Sequence, residues 1–562
     1  MRMEKEGDPC DKKKPGLHTL SWTVRVHPLL PPSFLHFNEP TFQGPCFLPN
    51  WFHLNSARLR TPTYTLEQHL DRSGPPAVML TQRTSASRPD KSHDVAATLA
   101  KAASSRASTT ITPTAADFAR TQSRILQLSL AVRIAAVFAL LCCASIQQAF
   151  DTSHELLSYS LDPDTLHGLS AGPFRWVRAF VRWDTIYFLS AAAPSGGYVW
   201  EQTLAFQPGI VALLRVLGYV TPSLDGSWSP TSALILATLA GNLAATVSPV
   251  LLYRLTWRVT RHAELAATAA VLSTFAPSGG STLAAPTPES FFSCASLAGL
   301  LVLESARGKG IGWGKIVKAS VWFAVATAFR TNGIMLVGYV VFKLLQGRDW
   351  AAVLKVVVAA VVCVLPSAAF QLWAYGRFCS TQEGRPWCEA RLPSVYSFVQ
   401  SHYWHVGWLR YWELAQLPNF ALAAPVLLLI AYTARTFYRA SSWKQLMFSL
   451  NPLTTSATTI PNENSHNPEH GKGDAVGLTL GSTPQAVPYV VHGVVLGALL
   501  LFASHVQIAL RFATPGGMPM VWWGAAHAVL YAKPWLRRSI VAWLSLQSCA
   551  ALVLYAGFYP PA

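Results

Sequence analysis

From about residue 126 the chain is a series of long apolar runs separated by short polar breaks, many of them basic. The pattern predicts membrane helices at roughly 126–149, 231–254, 264–281, 288–305, 316–330, 331–346, 351–372, 418–435, 487–510, 517–532 and 538–557. Several of these runs fall short of the ~20 residues that a straight crossing needs. The run 206–220 is shorter still and carries Arg215, so it reads as an interfacial or re-entrant helix. Residues 1–122 have no sustained periodicity and read as a disordered N-terminal extension, most clearly from Ser85 to Thr114. Translation beginning at Met79 would leave residues 1–78 out of the working protein. The Asn-, Ser-, Thr-, Gly- and Pro-rich stretch 441–486 reads as a second disordered segment, inside the multispanning domain 123–562.

Composition agrees with the pattern. Of 562 residues, 51% are hydrophobic and only 13% charged, against about 25% charged in soluble domains. The reading is an all-α polytopic membrane protein. A net charge of +17 would suggest nucleic acid in a soluble protein, but here the basic residues sit in short loops between apolar runs. That is a topology signal, and no nucleic-acid partner is expected.

The basic groups set the orientation. Arg254, Arg258 and Arg261 follow the second run, Arg307, Lys309 and Lys315 the fourth, and Lys343 and Arg348 the sixth. Arg435, Arg439 and Lys444 follow the eighth, and Lys533, Arg537 and Arg538 the tenth. Eleven spans with a cytoplasmic N-terminus put all these groups in the cytoplasm. Counting 206–220 as a span would invert most of them. The loops 150–230 and 373–417 are then extracytoplasmic, and 441–486 is cytoplasmic. Cys379 and Cys388 share the 373–417 loop. They are either two free thiols or, if the loop faces an oxidising lumen, a disulfide. Cys142, Cys143, Cys294, Cys363 and Cys549 lie in apolar runs and read as core thiols. No cysteine spacing resembles a metal site.

The chemistry concentrates on the extracytoplasmic side. Arg182-Trp183-Asp184 closes one apolar stretch, and a carboxylate there either caps an interfacial helix or serves as a general base. Trp183 suits sugar stacking, and Arg182 suits a phosphate or lipid headgroups. Glu201-Gln202 follows, either bonding the local loop or contacting an acceptor hydroxyl. Pro208-Gly209 opens the short helix, where Pro fits the first turn. Glu289, in Pro288-Glu289-Ser290, either complements a helix dipole or serves a site. Arg330-Thr331-Asn332-Gly333 interrupts an apolar stretch, and a buried arginine at that depth is costly. It either snorkels or meets an anion. Arg385-Pro386-Trp387-Cys388 leads into an aromatic-dense stretch reaching Pro418-Asn419-Phe420, suited to an interfacial belt or to sugar stacking. No phosphate-binding glycine loop, nucleotide fingerprint or helical two-His metal pair is present. That argues against a nucleotide-sugar donor and against an ATP-driven pump.

These strings, in their order and spacing, resemble the GPI mannosyltransferase 2 family from about residue 126 to the C-terminus. One departure is Gln207, where the family leads one to expect an aromatic. The resemblance implies a GT-C type fold with about 11 transmembrane helices and an active site in the first lumenal loop. It implies transfer of the second mannose, α-1,6-linked, from dolichyl phosphate mannose to a mannosyl-glucosaminyl-phosphatidylinositol acceptor. The donor is β-linked, so the reaction inverts. Asp184 is then the base, and Arg182, Trp183, Glu201, Gln202, Glu289, Arg330, Asn332, Arg385 and Trp387 are substrate-binding candidates. No cofactor or metal is expected, since an arginine could stabilise the leaving phosphate's charge without one, and the resemblance also implies residence in the endoplasmic reticulum membrane and a small membrane partner subunit. The nearest alternative is another dolichyl-phosphate-mannose-dependent transferase with a different acceptor. A more distant one is a transporter, for which the chain lacks a convincing internal repeat.

Overall fold

A computed structural model describes residues 114–161, 175–220, 227–305, 311–347, 351–380, 385–440 and 484–559, together with 163 and 169. The extension 1–113 and most of the 441–486 segment lie outside the described residues. The described chain is α-helical with short 3-10 turns, and it holds no strand among the described residues.

Helix α1 (Ala115–Ile146) starts earlier than the periodicity implies, because Thr114 and Asp117 form a reciprocal capping box. Residues 115–122 are therefore helical rather than part of a disordered tail. Then come α2 (Asp184–Ala192), α3 (Pro208–Gly218), α4 (Pro230–Thr260), α5 (Ala263–Leu272), α6 (Pro288–Leu303), α7 (Trp313–Phe329) and α8 (Val337–Gly347). They are followed by α9 (Ala352–Phe378), α10 (Val395–His402), α11 (Leu417–Ala440), α12 (Val487–Phe502), α13 (Ala509–Phe512), α14 (Pro519–Tyr531) and α15 (Pro534–Ala556).

Five helices, α1, α4, α9, α11 and α15, are long and apolar enough to cross a membrane. The other six of the eleven expected spans are shorter helices, and the reasons are local. The 264–281 run stops at Leu272, ahead of Pro277, Gly279 and Gly280, and re-forms as a single π turn at Gly280–Ala284. The 487–510 run breaks after Phe502 into the 3-10 turn Val506–Ile508 and the short α13. The 331–346 run begins as a 3-10 turn, Thr331–Leu336. In α14, Trp522 and Trp523 are almost wholly buried. Both rings of that helix face the protein interior.

The main core gathers residues of α4, α6, α7, α8, α11, α12 and α14. Around it α9 turns one face outward, with Val353 75%, Leu365 59% and Leu372 71% exposed. A row of exposed aliphatics on a helix of this kind faces lipid. A second core joins α1, the turns before α2, the 276–285 segment and the end of α15. It fixes α2 beside the C-terminal end of the chain.

Candidate functional site

Asp184 is the first residue of α2. The preceding Trp183 has φ 50°, a left-handed conformation that costs a non-glycine residue about 1–3 kcal/mol. The tertiary structure holds it there: the Trp183 ring packs edge-on against Phe558 at 5.3 Å, and its carbonyl accepts from the Ile186 amide at 3.1 Å. Asp184 therefore lies inside the first turn, where a negative charge suits the dipole. The N-cap is Trp183, with no capping side-chain bond, so the expectation that Asp184 could serve as the cap does not hold.

The partner of Asp184 is a residue outside the sequence-derived set. Arg511 donates through Nη1 to Asp184 Oδ2 at 2.6 Å. Its Nε and Nη2 reach Glu289 Oε1 at 2.7 and 2.6 Å. Arg330 completes the cluster, with Nη1 2.5 Å from the same Glu289 oxygen. The Arg330 guanidinium also lies over the Phe512 ring at 4.4 Å, and its Nε approaches Asn332 Oδ1 at 3.4 Å. Two arginines and two carboxylates thus balance in charge, so no uncompensated charge is buried. Side-chain exposure falls from Asp184 at 27% through Arg511 at 18% and Arg330 at 12% to Glu289 at 0%. Asp184 is the open end of the network and Glu289 its buried anchor.

Four separate stretches must meet to build this site. Glu289 opens α6, which begins at Pro288, as Pro at the first helical position allows. Arg330 caps the end of α7 in extended conformation. Arg511 lies in α13, in the break between α12 and α14. Behind it Gly516 donates its amide to Ser293 Oγ at 2.9 Å, and a β-carbon at Gly516 would lie 2.1 Å from the Ser293 carbonyl oxygen. Only glycine lets this turn close on α6. Similarly, Gly209 at the start of α3 lies against the α7 backbone, where a β-carbon would be 2.5 Å from the Ala328 oxygen. Beside it Gln207, the departure from the expected aromatic, donates to Thr331 Oγ1 at 2.9 Å and ties α3 to the Arg330 turn.

Arg182 points elsewhere. Its guanidinium donates to the carbonyls of Arg178 at 2.7 Å and Val181 at 3.1 Å and approaches Ala556 at 3.4 Å, with its centre 5.1 Å over the Phe558 ring. These contacts link the Asp184 loop to the C-terminus.

Glu201, Arg385 and Trp387 form a second cluster. Glu201 Oε1 accepts from Arg385 Nη1 and from Trp387 Nε1, each at 2.8 Å, and Oε2 accepts from the Tyr403 hydroxyl at 2.8 Å. Burial raises the Glu201 carboxyl, but the bonds from Trp387, Arg385 and Tyr403 outweigh it and hold it below the ordinary carboxylate value. Trp387 is only 2% exposed, so its ring forms part of a small core and is closed to sugar stacking here. Both Glu201 oxygens are engaged, which makes this a clamp between two loops. Gln202 lies half-buried in the same 3-10 turn, Glu201–Ala205. Cys379 and Cys388 are joined in a disulfide, their Cα atoms 5.6 Å apart, next to the clamp. This settles the choice between thiols and bridge.

Asp184, Glu289, Arg330 and Asn332 thus come together, while Glu201, Arg385 and Trp387 meet separately and Arg182 belongs to neither group. Arg511 had a visible signal. It is the only Asp, Glu, Lys or Arg between Asp474 and Lys533, and a lone charge in so apolar a stretch marks a partner elsewhere.

Known proteins resemble this chain over the part that builds the site. The family model described as "Mannosyltransferase (PIG-V)" matches residues 122–562. A GPI mannosyltransferase 2 of Cryptococcus neoformans is 30% identical over 74% of this chain and 92% of its own length. A GPI alpha-1,6-mannosyltransferase 2 of Mus musculus is 30% identical over 63% of this chain and 74% of its own. The human protein of that name is 30% identical over 63% and 74%. Among solved structures, an oligosaccharyltransferase of Archaeoglobus fulgidus aligns at 12% identity with a TM-score of 0.33, covering 77% of this chain and 56% of that one. A likeness of that order carries no weight for fold or chemistry.

Proposed function

The chain belongs to the PIG-V mannosyltransferase family, and we propose that it adds an α-1,6-linked mannose, the second one, to the glycosylphosphatidylinositol precursor. It is a mannosyltransferase and a multi-pass membrane protein. The donor in this reading is dolichyl phosphate mannose, the acceptor a mannosyl-glucosaminyl-phosphatidylinositol, and the setting the lumenal face of the endoplasmic reticulum membrane. In this reading the fold is of GT-C type with about 11 membrane-crossing helices, and a small membrane subunit is the expected companion.

The observation that carries the mechanism is the exposure gradient in the Asp184–Arg511–Glu289–Arg330 network. Of the two carboxylates in this network, Asp184 is the one that a substrate can reach. Arg511 holds its Oδ2 and leaves Oδ1 to accept the proton of the acceptor hydroxyl. The hydroxyl oxygen attacks the anomeric carbon in line, the bond from that carbon to the lipid phosphate breaks, and configuration inverts. The phosphate departs with its negative charge, which Arg330 is placed to stabilise. Glu289 keeps both guanidiniums in position. The lumenal assignment is supported by the sides inferred from charge bias: the segments holding Asp184, Glu289, Arg330 and Arg511 all fall on that side and converge here. The disulfide between Cys379 and Cys388 also suits an oxidising compartment.

The test is complementation of a host lacking its second GPI mannosyltransferase, with surface GPI proteins and accumulated precursor as readouts. Wild type is expected to rescue. Asp184→Asn is expected to lose on the order of 10²–10⁴-fold in rate and to leave the one-mannose precursor. Failure of a well-expressed wild type, supplied with its companion subunit, would reject the acceptor assignment. Full rescue by Asp184→Asn would reject Asp184 as base.

A further inference from the structure

A cavity of about 690 Å³ opens at the far end of α2, between α3 and the last turns of α9. Its volume lies in the range of small-molecule sites. Its α2 edge is Ala191, seven residues past Asp184 and so ~10 Å along the helix axis. It is a place apart from the carboxylate–arginine network.

The lining has two characters. One wall is aromatic: Tyr198, Phe370 and Trp373 pack with ring centroids 5.1 to 5.5 Å apart, and Phe378 meets Trp373 at 6.4 Å. The remaining lining is small and apolar except for two cations, Arg215 and Arg377, and holds no acidic residue. Arg215 spends Nε and Nη2 on the last carbonyls of α2, at 3.0 to 3.2 Å. Its Nη1 has no bond among the described residues. Arg377 is exposed and has no partner among the described residues. The Tyr198 hydroxyl is buried and likewise without a hydrogen-bond partner among the described residues. Two arginines with spare donors and an unsatisfied hydroxyl call for an anion. The exposed apolar face of α9, on which Leu372 and Trp373 lie, runs away from the same opening. An anionic head continuing into apolar chains is a phosphorylated lipid.

Building on the function proposed above, we propose that this cavity holds the phosphodiester end of the lipid acceptor. The phosphate and inositol would sit between Arg215 and Arg377, and the chains would lie along α9. Geometry favours acceptor over donor. A donor phosphate lies one sugar carbon beyond the attacking oxygen and must stay beside Arg330 and Asp184. The acceptor phosphate is separated from its reacting hydroxyl by the sugars and inositol of the headgroup, which matches a site at the other end of α2.

The test uses the purified full-length protein in nanodiscs, with steady-state kinetics on the one-mannose acceptor. Losing one charge-assisted contact is worth about tenfold. Arg377→Gln is therefore expected to raise the acceptor KM about tenfold, with kcat and donor KM unchanged. Trp373→Leu should act in the same direction, and exposed Arg391→Gln should leave all three constants at wild-type values. An unchanged acceptor KM in both cavity variants overturns the proposal, and a raised donor KM instead assigns the cavity to the donor and also overturns it. Native mass spectrometry of retained lipid gives a readout that does not depend on turnover. Phosphatidylinositol is expected to be held in preference to polyprenyl phosphate and phosphatidylcholine, and to be lost in Arg377→Gln. Preference for polyprenyl phosphate, or equal retention of phosphatidylcholine, overturns the assignment. If wild type holds phosphatidylinositol but transfers no mannose, the proposed function fails while the lipid site stands.

Discussion

Replacing Arg511 by Gln removes the residue that joins Asp184 to Glu289. Glu289 is wholly buried and accepts two contacts from Arg511, at 2.7 and 2.6 Å, and one from Arg330. Stripping every partner from a buried charge costs about 3–5 kcal/mol. Here Arg330 remains, so the loss is nearer that of one charged hydrogen-bonded contact, about 2–3 kcal/mol. The Asp184 contact is partly exposed and adds at most about 1 kcal/mol. On a chain of this length the sum lowers the melting temperature by roughly 5 °C, readable from intrinsic tryptophan fluorescence of the purified protein. Activity should fall further than stability, about 10²-fold, because Asp184 loses its orientation. Arg511→Lys restores the charge but not the fork and should recover only part of it. A double-mutant cycle with Glu289→Gln isolates the contact: the pair should be less destabilised than the sum of the single variants by more than about 1 kcal/mol. The reasoning is refuted if Arg511→Gln melts with wild type, or if the two substitutions add to within about 0.5 kcal/mol.

Three further outcomes are expected. Gly516→Ala would press a β-carbon onto the Ser293 carbonyl and push Arg511 away from Glu289, costing about 1–3 kcal/mol; a melting curve and activity both matching wild type would refute this. The Glu201 carboxyl titrates below its ordinary value of 4.5, so the loop clamp keeps full strength above that value and weakens as pH falls through the lower folded value. Hydrogen-exchange protection at 395–403, expressed relative to the intrinsic exchange rate at each pH, should stay constant down to the ordinary carboxylate value of 4.5 and fall only below it, and Glu201→Gln should abolish that step; an equal loss of protection in the variant would assign it to another group. Finally, peptide mapping without reductant should recover Cys379 and Cys388 as one linked species. Recovery as free thiols from protein isolated from cells would place the loop on the reducing side of the membrane.

The apolar runs alone marked this as a helical membrane protein, and the basic groups gave an expected order to its two sides. They did so because burying backbone in lipid permits helices, and charge in loops resists crossing. The acidic and aromatic strings also marked Asp184, Glu289 and Arg330 as costly residues to place. What the runs could not determine was how far each helix continues. Pro277 with Gly279 and Gly280, and the break after Phe502, turn long apolar stretches into short packed pieces, because lost backbone bonds are met inside the protein. Nor could they pair the charges. Glu289 and Arg511 are 222 positions apart, and only the packing of α6 against the Gly516 turn joins them. The same holds for Trp387, whose aromatic ring suited a sugar as readily as a core until Glu201 was found bonded to its indole. Local sequence specifies which side chains are expensive to bury, and the tertiary structure decides which partners offset that cost.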